Sequence, residues 1–195
     1  MHQAIDLEKL KMDKDFFSRC DIFISLLQKW GKVHNLSGRL TKEDIEENII
    51  DSITPLEFID DYESFADIGT GAGYPGLILA MARADKKCYL IEPRQKRVAF
   101  LNFVKNSLGL KNVEVLCKRV EEVEGLKVDL VTSRAVTNTK LLLDITSEIC
   151  TEDTKFLFYK GSLLESEIEE AKLKDCIIQS RKDRNYLYLK GNVWF

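Results

Sequence analysis

The sequence lacks the residue clusters on which several common classes of enzyme depend. It has two histidines, and neither lies near a cysteine or the other histidine, so we expect no metal site. Its five cysteines are widely spaced without a C-x-x-C pair, which is typical of reduced thiols. Neither G-x-S-x-G nor G-x-x-x-x-G-K-[ST] occurs, so the hydrolase nucleophile elbow and the P-loop are absent. These absences exclude most hydrolases.

Long hydrophobic runs are also missing. The longest apolar run, residues 77–82, is far shorter than the roughly 18 residues of a membrane-spanning helix. The first residues, MHQAIDLEKLKMDKD, carry alternating charges where a secretion signal would have an apolar core. We therefore expect a cytoplasmic protein with no membrane partner.

What the chain does have is an uneven distribution of charge. Its formal net charge of -3 over 195 residues is not typical of a nucleic-acid-binding protein. Residues 41–64 hold nine acidic side chains and one basic one, whereas residues 81–119 hold ten basic and three acidic ones. A basic stretch of this kind forms either a phosphate-binding face or a solvated helix surface. Charge alone favours neither interpretation.

The hydrophobic pattern divides the chain into two parts. Near the N-terminus, apolar residues recur at spacings of three and four, which predicts a helix over about 16–30. Thr41 followed by Asp44 resembles the N-cap of a second helix. Beyond these, short apolar runs alternate with amphipathic segments, the pattern of an α/β fold with parallel strands. We predict an N-terminal helical extension at 1–62 packed on a core at 63–195.

The core pattern predicts a sheet of seven strands. Segments long enough for helices lie at about 75–84, 94–108, 138–150 and 163–173. The last two strands are joined only by residues 181–184, too short for a crossover helix, so they should form a terminal antiparallel hairpin. The predicted strands lie at about 64–68, 87–92, 112–117, 128–132, 154–159, 176–179 and 185–190.

The most informative segment joins the first core strand to the next helix. Residues 67–76, DIGTGAGYPG, place Gly69, Gly71 and Gly73 at the carboxyl end of that strand. Glycine permits positive φ angles and lets the backbone pass close beneath a ligand, and open α/β sheets bind ligands at this end. Pro75 suits the first turn of a helix. The segment therefore predicts a ligand site.

Two cofactor classes match this segment. Its second to fourth glycines fit the dinucleotide pattern G-x-G-x-x-G, but that pattern should begin directly after the strand, at Gly69, and its third glycine would then fall on Tyr74. From Asp67 to Gly73, D-x-G-x-G-x-G resembles the first motif of class I S-adenosylmethionine (SAM) methyltransferases. In that motif the acid faces the methionine part of the cofactor, directly or through water.

The second strand and the end of the chain favour SAM. Both cofactor classes need an acid after the second strand to hold ribose hydroxyls, and Glu92 stands there. The terminal hairpin distinguishes the methyltransferase fold from a dinucleotide-binding one, and we expect no second domain for a hydride-transfer substrate. We predict SAM as the cofactor and keep NAD as the less favoured alternative.

Further motifs extend the resemblance to one family. They are NLS at 35–37, DS at 51–52, DIGTGAGYPG at 67–76, KR at 96–97 with FL at 100–101, RVE at 119–121, SRA at 133–135 and KG at 160–161. With these motifs, the chain resembles the RsmG (GidB) family of bacterial 16S rRNA guanine-N7 methyltransferases over about residues 30–161. The resemblance implies a Rossmann-like class I methyltransferase fold, SAM as cofactor, and 16S rRNA or the small ribosomal subunit as partner.

The segment and the family motifs together predict the site residues. Arg134 is implied near the methionine end of SAM or the incoming guanine, in a positioning role. We expect a monomer. The predicted RNA contacts are Asn35, Arg94, Lys96, Arg97 and Lys160. The predicted cofactor contacts are Asp67, Gly69, Gly71, Gly73, Tyr74, Glu92, Val120, Glu121 and Arg134.

The sequence departs from the family pattern at two of its motifs. Asn48 stands where the family usually has histidine, and Glu92 where many members have aspartate. The first change puts any role of that imidazole in doubt, and the second changes the reach of the acid but keeps its charge.

Methylation of guanine N7 requires no catalytic residue that removes a proton. N7 has a free lone pair and no proton, so its attack needs alignment and no general base. The three prolines are never adjacent, so the Pro-Pro motif typical of exocyclic amine methylation is absent. Charge reversal at Lys96 and Arg97 should weaken RNA binding and leave SAM affinity unchanged. Three alternatives stay open: a SAM methyltransferase for another RNA or a small molecule, a non-catalytic RNA-binding module, and a NAD-binding protein.

Overall fold

The computed structural model describes residues 10, 12–34 and 40–191, with the side chains of 32–34 outside that description. Its helices are α1 (Phe16–His34), α2 (Lys42–Ile53), α3 (Gly76–Ala82), α4 (Gln95–Ser107), α5 (Thr139–Thr146) and α6 (Leu164–Ala171). Its strands are β1 (Ser64–Ile68), β2 (Lys87–Ile91), β3 (Val113–Leu116), β4 (Leu130–Arg134), β5 (Lys155–Lys160), β6 (Cys176–Arg181) and β7 (Arg184–Lys190). Short 3-10 turns lie at Thr54–Glu57, Val120–Glu122 and Ser147–Ile149.

The seven strands form one sheet in the order β3-β2-β1-β4-β5-β7-β6. The first five strands are parallel to one another, and β7 runs antiparallel to both β5 and β6. The predicted parallel sheet with a terminal hairpin is confirmed. Because the strand order reverses between β1 and β4, the carboxyl ends of these two strands border a crevice. Apolar clusters cover the two faces of the sheet.

The N-terminal helices pack on the core. In α1 the predicted apolar stripe is confirmed, since Phe16, Cys20, Phe23 and Leu27 are buried. Trp30, the last member of the stripe, packs at a tilt against two phenylalanine rings of α4. These residues belong to the same hydrophobic cluster as α3 and β1, while the division of the chain at residue 62 stays a prediction.

Helix α2 begins and ends where its local chemistry requires. The Thr41 hydroxyl accepts a hydrogen bond from the Asp44 amide at 3.1 Å, which confirms the predicted N-cap. The α-helix ends at Ile53 and becomes a 3-10 turn, because Pro55 has no N–H to extend the helical hydrogen bonds. This end of α2 lies next to the carboxyl end of β4, where Arg134 donates to Asn48 and Asp51.

The terminal hairpin is tighter than predicted. Strands β6 and β7 extend to Arg181 and Arg184, so only Lys182 and Asp183 form the turn. Lys182 has a φ angle of 52°, in the left-handed region that suits two-residue hairpin turns. Glu47 of α2 accepts bonds from Arg181 and Lys182 and fixes the hairpin against the N-terminal helices.

Candidate functional site

The glycine-rich segment forms the turn between β1 and α3. Gly69, Gly71 and Gly73 have φ angles of 65°, 61° and 104°, which confirms the predicted positive values. Pro75 is the N-cap of α3 and not its first helical residue. The helix therefore starts one residue later than predicted. The helix starts at Gly76 because the amide of that residue is turned back toward the end of β1.

Asp67 lies beneath this turn and outside the open cleft. Its carboxylate is fully buried and accepts hydrogen bonds from the Thr132 hydroxyl at 2.8 Å and the Gly76 amide at 2.9 Å. Burial raises the pKa of Asp67 to about 6, although these hydrogen bonds act in the opposite direction. The structure thus gives Asp67 a role in holding the turn, and its predicted place facing the methionine part of SAM stays a prediction. Gly76, which the prediction left out, is needed for this contact; the last glycine of the G-x-G-x-x-G match was its signal.

Glu92 ties the glycine turn to the end of β2. Its carboxylate, 2% exposed, accepts the Gly71 amide at 3.0 Å with one oxygen and the Arg94 amide at 3.0 Å with the other. The Arg97 guanidinium lies 3.5 Å from the first of these oxygens. The predicted strand-end acid is therefore at the expected place and holds the turn in its conformation.

A cleft of about 270 Å³ opens beside these residues, at the carboxyl ends of the parallel strands. Four predicted cofactor contacts line it: Gly69, Glu92, Val120 and Glu121. The lining residues that the prediction did not name are Ile68, Ile91, Pro93, Lys118, Arg119, Ala135, Val136 and Ile145. A wider hollow of about 640 Å³ lies at the amino ends of the strands, lined by groups such as Asp61, Asp129 and Lys155. It contains none of the predicted site residues, so the smaller cleft is the candidate site.

Basic side chains form one rim of the cleft. Arg94 and Arg97, two of the predicted RNA contacts, line it, and Lys96 is exposed on the first turn of α4. Lys118 and Arg119 come to the same rim from the segment after β3. The sequence shows these last two in the basic stretch, but only the fold brings them beside α4. We refer to these five residues as the basic rim.

Arg134 and Tyr74 lie on the other side of the glycine turn. Arg134 Nη1 donates to Asn48 Oδ1 at 2.8 Å and to Asp51 Oδ2 at 3.0 Å, and its guanidinium carbon lies 4.8 Å from the Tyr74 ring centre. The Tyr74 ring is buried and packs edge-on against Phe23. Neither side chain lines the cleft, and the predicted roles of Arg134 and Tyr74 stay predictions.

Asp51 is the centre of this second cluster. It is buried and also accepts bonds from Arg184 Nε at 3.2 Å and the Tyr186 hydroxyl at 2.9 Å, both on the terminal hairpin. The sequence reasoning assigned no residue of the hairpin to the site. No sequence signal pointed to these partners, since they are far apart along the chain and only the sheet order brings them together.

Among the described residues, one predicted RNA contact, Lys160, does not line the cleft. Lys160 is 7% exposed, and its ammonium group donates to Glu167 Oε2 at 2.7 Å and to the Thr137 carbonyl at 3.0 Å. Burial lowers the pKa of Lys160 against the effect of its carboxylate partner. This ammonium group is bonded to protein partners, and its contact with RNA stays a prediction. Asn35 lies outside the described residues.

The sheet order and the terminal hairpin are those of the class I methyltransferase fold. Two solved structures share the fold. The ribosomal protein L11 methylase of Lactobacillus delbrueckii has a TM-score of 0.58 at 14% identity, covering 80% of this chain and 81% of that one. The 16S rRNA N2 G1207 methyltransferase RsmC of T. thermophilus, in complex with AdoMet and guanosine, has a TM-score of 0.56 at 17% identity, covering 80% of this chain and 44% of that one.

Sequence comparison identifies the family. The model of rRNA small subunit methyltransferase G (GidB) matches residues 17–193, and the chain belongs to this family. It is 62% identical over 193 residues to the ribosomal RNA small subunit methyltransferase G of Aliarcobacter butzleri, covering 99% of this chain and 100% of that protein. The corresponding protein of Wolinella succinogenes is 42% identical over 182 residues, with 93% of both chains covered. The resemblance seen in the sequence motifs is confirmed.

Within the described part of the chain, no helix combines the length and the apolar character needed to cross a bilayer. The same residues include no group of histidine, cysteine and acidic side chains able to hold a metal ion.

Proposed function

We propose that this protein transfers the methyl group of SAM to N7 of a guanine in 16S rRNA. The observation that carries the proposal is one cleft at which a glycine turn, a buried carboxylate and the basic rim meet. It occurs in a chain 62% identical to a protein named as an rRNA small subunit methyltransferase. A bacterial rRNA substrate also supports a location in the cytoplasm.

The residues of the cleft fit the chemistry of SAM. Ribose hydroxyls are hydrogen-bond donors, and Glu92 is a buried acceptor. A carboxylate accepts about four hydrogen bonds, of which the backbone amides of Gly71 and Arg94 occupy two. Val120 and Ile91 give apolar surface suited to adenine, and the glycine turn keeps side chains away from the ligand. Bound SAM supplies a methyl group on a positively charged sulfur.

The remaining chemistry needs alignment of the guanine. N7 attacks with a lone pair that carries no proton, so no residue has to act as a general base. Among the described residues that line the cleft there is no histidine, in keeping with a reaction that transfers no proton from the acceptor atom. What the chain must do is hold the base beside the cleft and exclude water.

The basic rim supplies the electrostatic part of RNA binding. Arg94, Lys96, Lys118 and Arg119 are exposed, and within the described residues none of them has a carboxylate at ion-pair distance. Cations of this kind contact phosphates, which fixes the orientation of an RNA without reading its sequence. Their position beside Glu92 would bring the RNA backbone next to the cofactor.

Arg134 supports the same site from behind. Its bonds to Asn48 and Asp51 join α2 to the end of β4, and its stacking on Tyr74 joins both to the glycine turn. We propose that Arg134 positions this turn. Asn48 fills the place where the family usually has histidine and accepts the Arg134 bond as a neutral group, with no titration near neutral pH.

The test is methyl transfer from tritiated SAM to small ribosomal subunits from a strain that lacks this protein. Nuclease digestion and nucleoside analysis should find the label in 7-methylguanosine at one rRNA position. Heat-denatured protein serves as the control for adventitious transfer. Label in another nucleoside would show that the proposed acceptor atom is wrong. Label found only on another RNA would show that the proposed substrate is wrong.

A protein that binds SAM and labels no RNA would overturn the proposal. Binding of a nicotinamide dinucleotide in place of SAM would overturn the proposed cofactor as well. Sedimentation of the protein alone, and with subunits, tests the expected monomer in the same preparation.

A further inference from the structure

The loop between β4 and α5 closes one side of the cofactor cleft. Ala135 and Val136 line the cleft. Val136 lies directly over the glycine turn, because a Cβ atom on Gly69 would be 2.5 Å from Val136 Cγ2. Ala135 has a φ angle of 56°, a conformation that residues other than glycine adopt only where their surroundings hold them. The position of this loop therefore sets the shape of the cleft at Gly69.

A partly buried ion pair holds the far end of this loop. Lys160, the last residue of β5, donates to the Thr137 carbonyl at 3.0 Å and to Glu167 Oε2 of α6 at 2.7 Å. The same Glu167 oxygen accepts the Thr139 amide at 2.8 Å and the Thr139 hydroxyl at 2.6 Å. Lys160, Glu167 and Thr139, here called the loop anchor, thus connect β5 and α6 to the residue next to Val136.

We propose that the loop anchor positions the β4–α5 loop over the glycine turn and thereby sets the affinity for SAM. The inference rests on the SAM site proposed above and assigns Lys160 a role in cofactor binding that is separate from RNA. Charge-assisted hydrogen bonds are the stronger kind, and Lys160 directs one at a loop carbonyl and one at the carboxylate that holds the first turn of α5. Without them, the loop loses the two charge-assisted hydrogen bonds that hold its far end, next to Val136.

The first test compares two lysines of the same strand. Lys160→Met removes the ammonium group at the cleft end of β5. Lys155→Met is the matched control, since Lys155 also donates to a backbone carbonyl, that of Asp61 at 2.8 Å, but at the opposite end of the strand. We expect Lys160→Met to weaken SAM binding about tenfold in calorimetry without RNA, as for a misplaced binding group, and Lys155→Met to leave it unchanged.

RNA binding separates this role from a phosphate contact. For Lys160→Met, the dependence of RNA affinity on salt should match that of the parent protein, and the KM for SAM should rise while the KM for subunits stays the same. Unchanged SAM affinity with a salt slope lowered by about one would overturn the proposal and make Lys160 an RNA contact. A parent protein that fails to bind SAM would instead overturn the proposed function.

A second pair of variants guards against simple unfolding. Thr139 is fully buried, so Thr139→Val keeps its shape and removes only the hydroxyl bonded to Glu167, whereas Thr139→Ser keeps the hydroxyl. We expect the valine variant to weaken SAM binding and the serine variant to bind SAM as the parent does, with both variants shown to be folded by circular dichroism at the temperature of the titration. Equal SAM affinity in the parent, valine and serine proteins would contradict the anchor.

Discussion

A Cβ atom on Gly76 would lie 2.4 Å from Cβ of Asp67 and 2.6 Å from its Oδ2. The helix α3 therefore starts directly against the end of β1, and the Gly76 amide reaches the Asp67 carboxylate at 2.9 Å. This contact fixes the angle at which the glycine turn leaves the sheet. The cleft beside the turn depends on it, although neither residue lines the cleft.

Gly76→Ala should destabilise the protein by about 3 kcal/mol, the upper range for overpacking a filled site. The added methyl group must displace Asp67, because neither the helix nor the strand can give way. Urea unfolding measures the change. Gly161→Ala is the control, since a Cβ there meets nothing within 4 Å, and we expect it to change stability by less than about 0.5 kcal/mol. Equal effects of the two substitutions would contradict this close contact.

Asp67 should make the free energy of unfolding fall as the pH rises, the opposite of the usual effect of a carboxylate. Burial raises its pKa to about 6 in the folded state, above the usual 3.8, so folding binds the proton more tightly. The contribution of Asp67 to the free energy of unfolding is therefore fully present below about pH 4 and is lost as the pH rises through 6. A shift of this size corresponds to about 3 kcal/mol.

The measurement compares the parent with Asp67→Asn in urea at several pH values. Other carboxylates, such as Glu167, have lowered pKa values and act in the opposite direction, but they cancel in the difference between the two proteins. The free energy of unfolding of the parent minus that of the variant should fall between pH 4 and pH 7. A difference that stays constant with pH would show that burial does not raise the pKa of Asp67.

Glu92→Gln should weaken SAM binding by about tenfold to a hundredfold, as expected when hydrogen bonds to a charged group become neutral ones. The amide oxygen still accepts one backbone amide, so the turn should keep its fold. Calorimetric titration with SAM measures the loss. Glu114→Gln, an exposed acid of β3 paired with Lys87, is the control and should bind SAM as the parent does. A Glu92 variant with parental affinity would remove Glu92 from the cofactor site.

In the structure, Lys96 and Arg97 have different surroundings, so we expect charge reversal to act differently at the two residues. Lys96 is exposed, so Lys96→Glu should weaken RNA binding, lower its salt slope by about one and leave SAM affinity unchanged. Arg97 lies 3.5 Å from the Glu92 carboxylate and lines the cleft. Arg97→Glu places a second negative charge there, so it should weaken both ligands. Binding assays at several salt concentrations distinguish the two, and identical behaviour of both variants would contradict this separation.

The elements and the site loop were predictable because their signals are local. Apolar spacing marked α1, and the short link after residue 181 required the terminal hairpin. The alternating glycines and Glu92 marked the cleft, since glycine at positive φ and an acid at a strand end are properties of short segments. The roles of Asp67 and Lys160 were not predictable in the same way, because burial and partners decide them.

The sequence by itself determined the α/β pattern, the glycine turn, the strand-end acid and the family to which the chain belongs. Only the tertiary structure decided that Asp67 supports the turn from below, that Lys160 joins Glu167, and that Asp51 joins Arg134 to the terminal hairpin. These contacts connect residues far apart in sequence. Their partners are chosen by the strand order and by the cost of burying a charge without a counter-charge or hydrogen bond, and neither is encoded in a short segment.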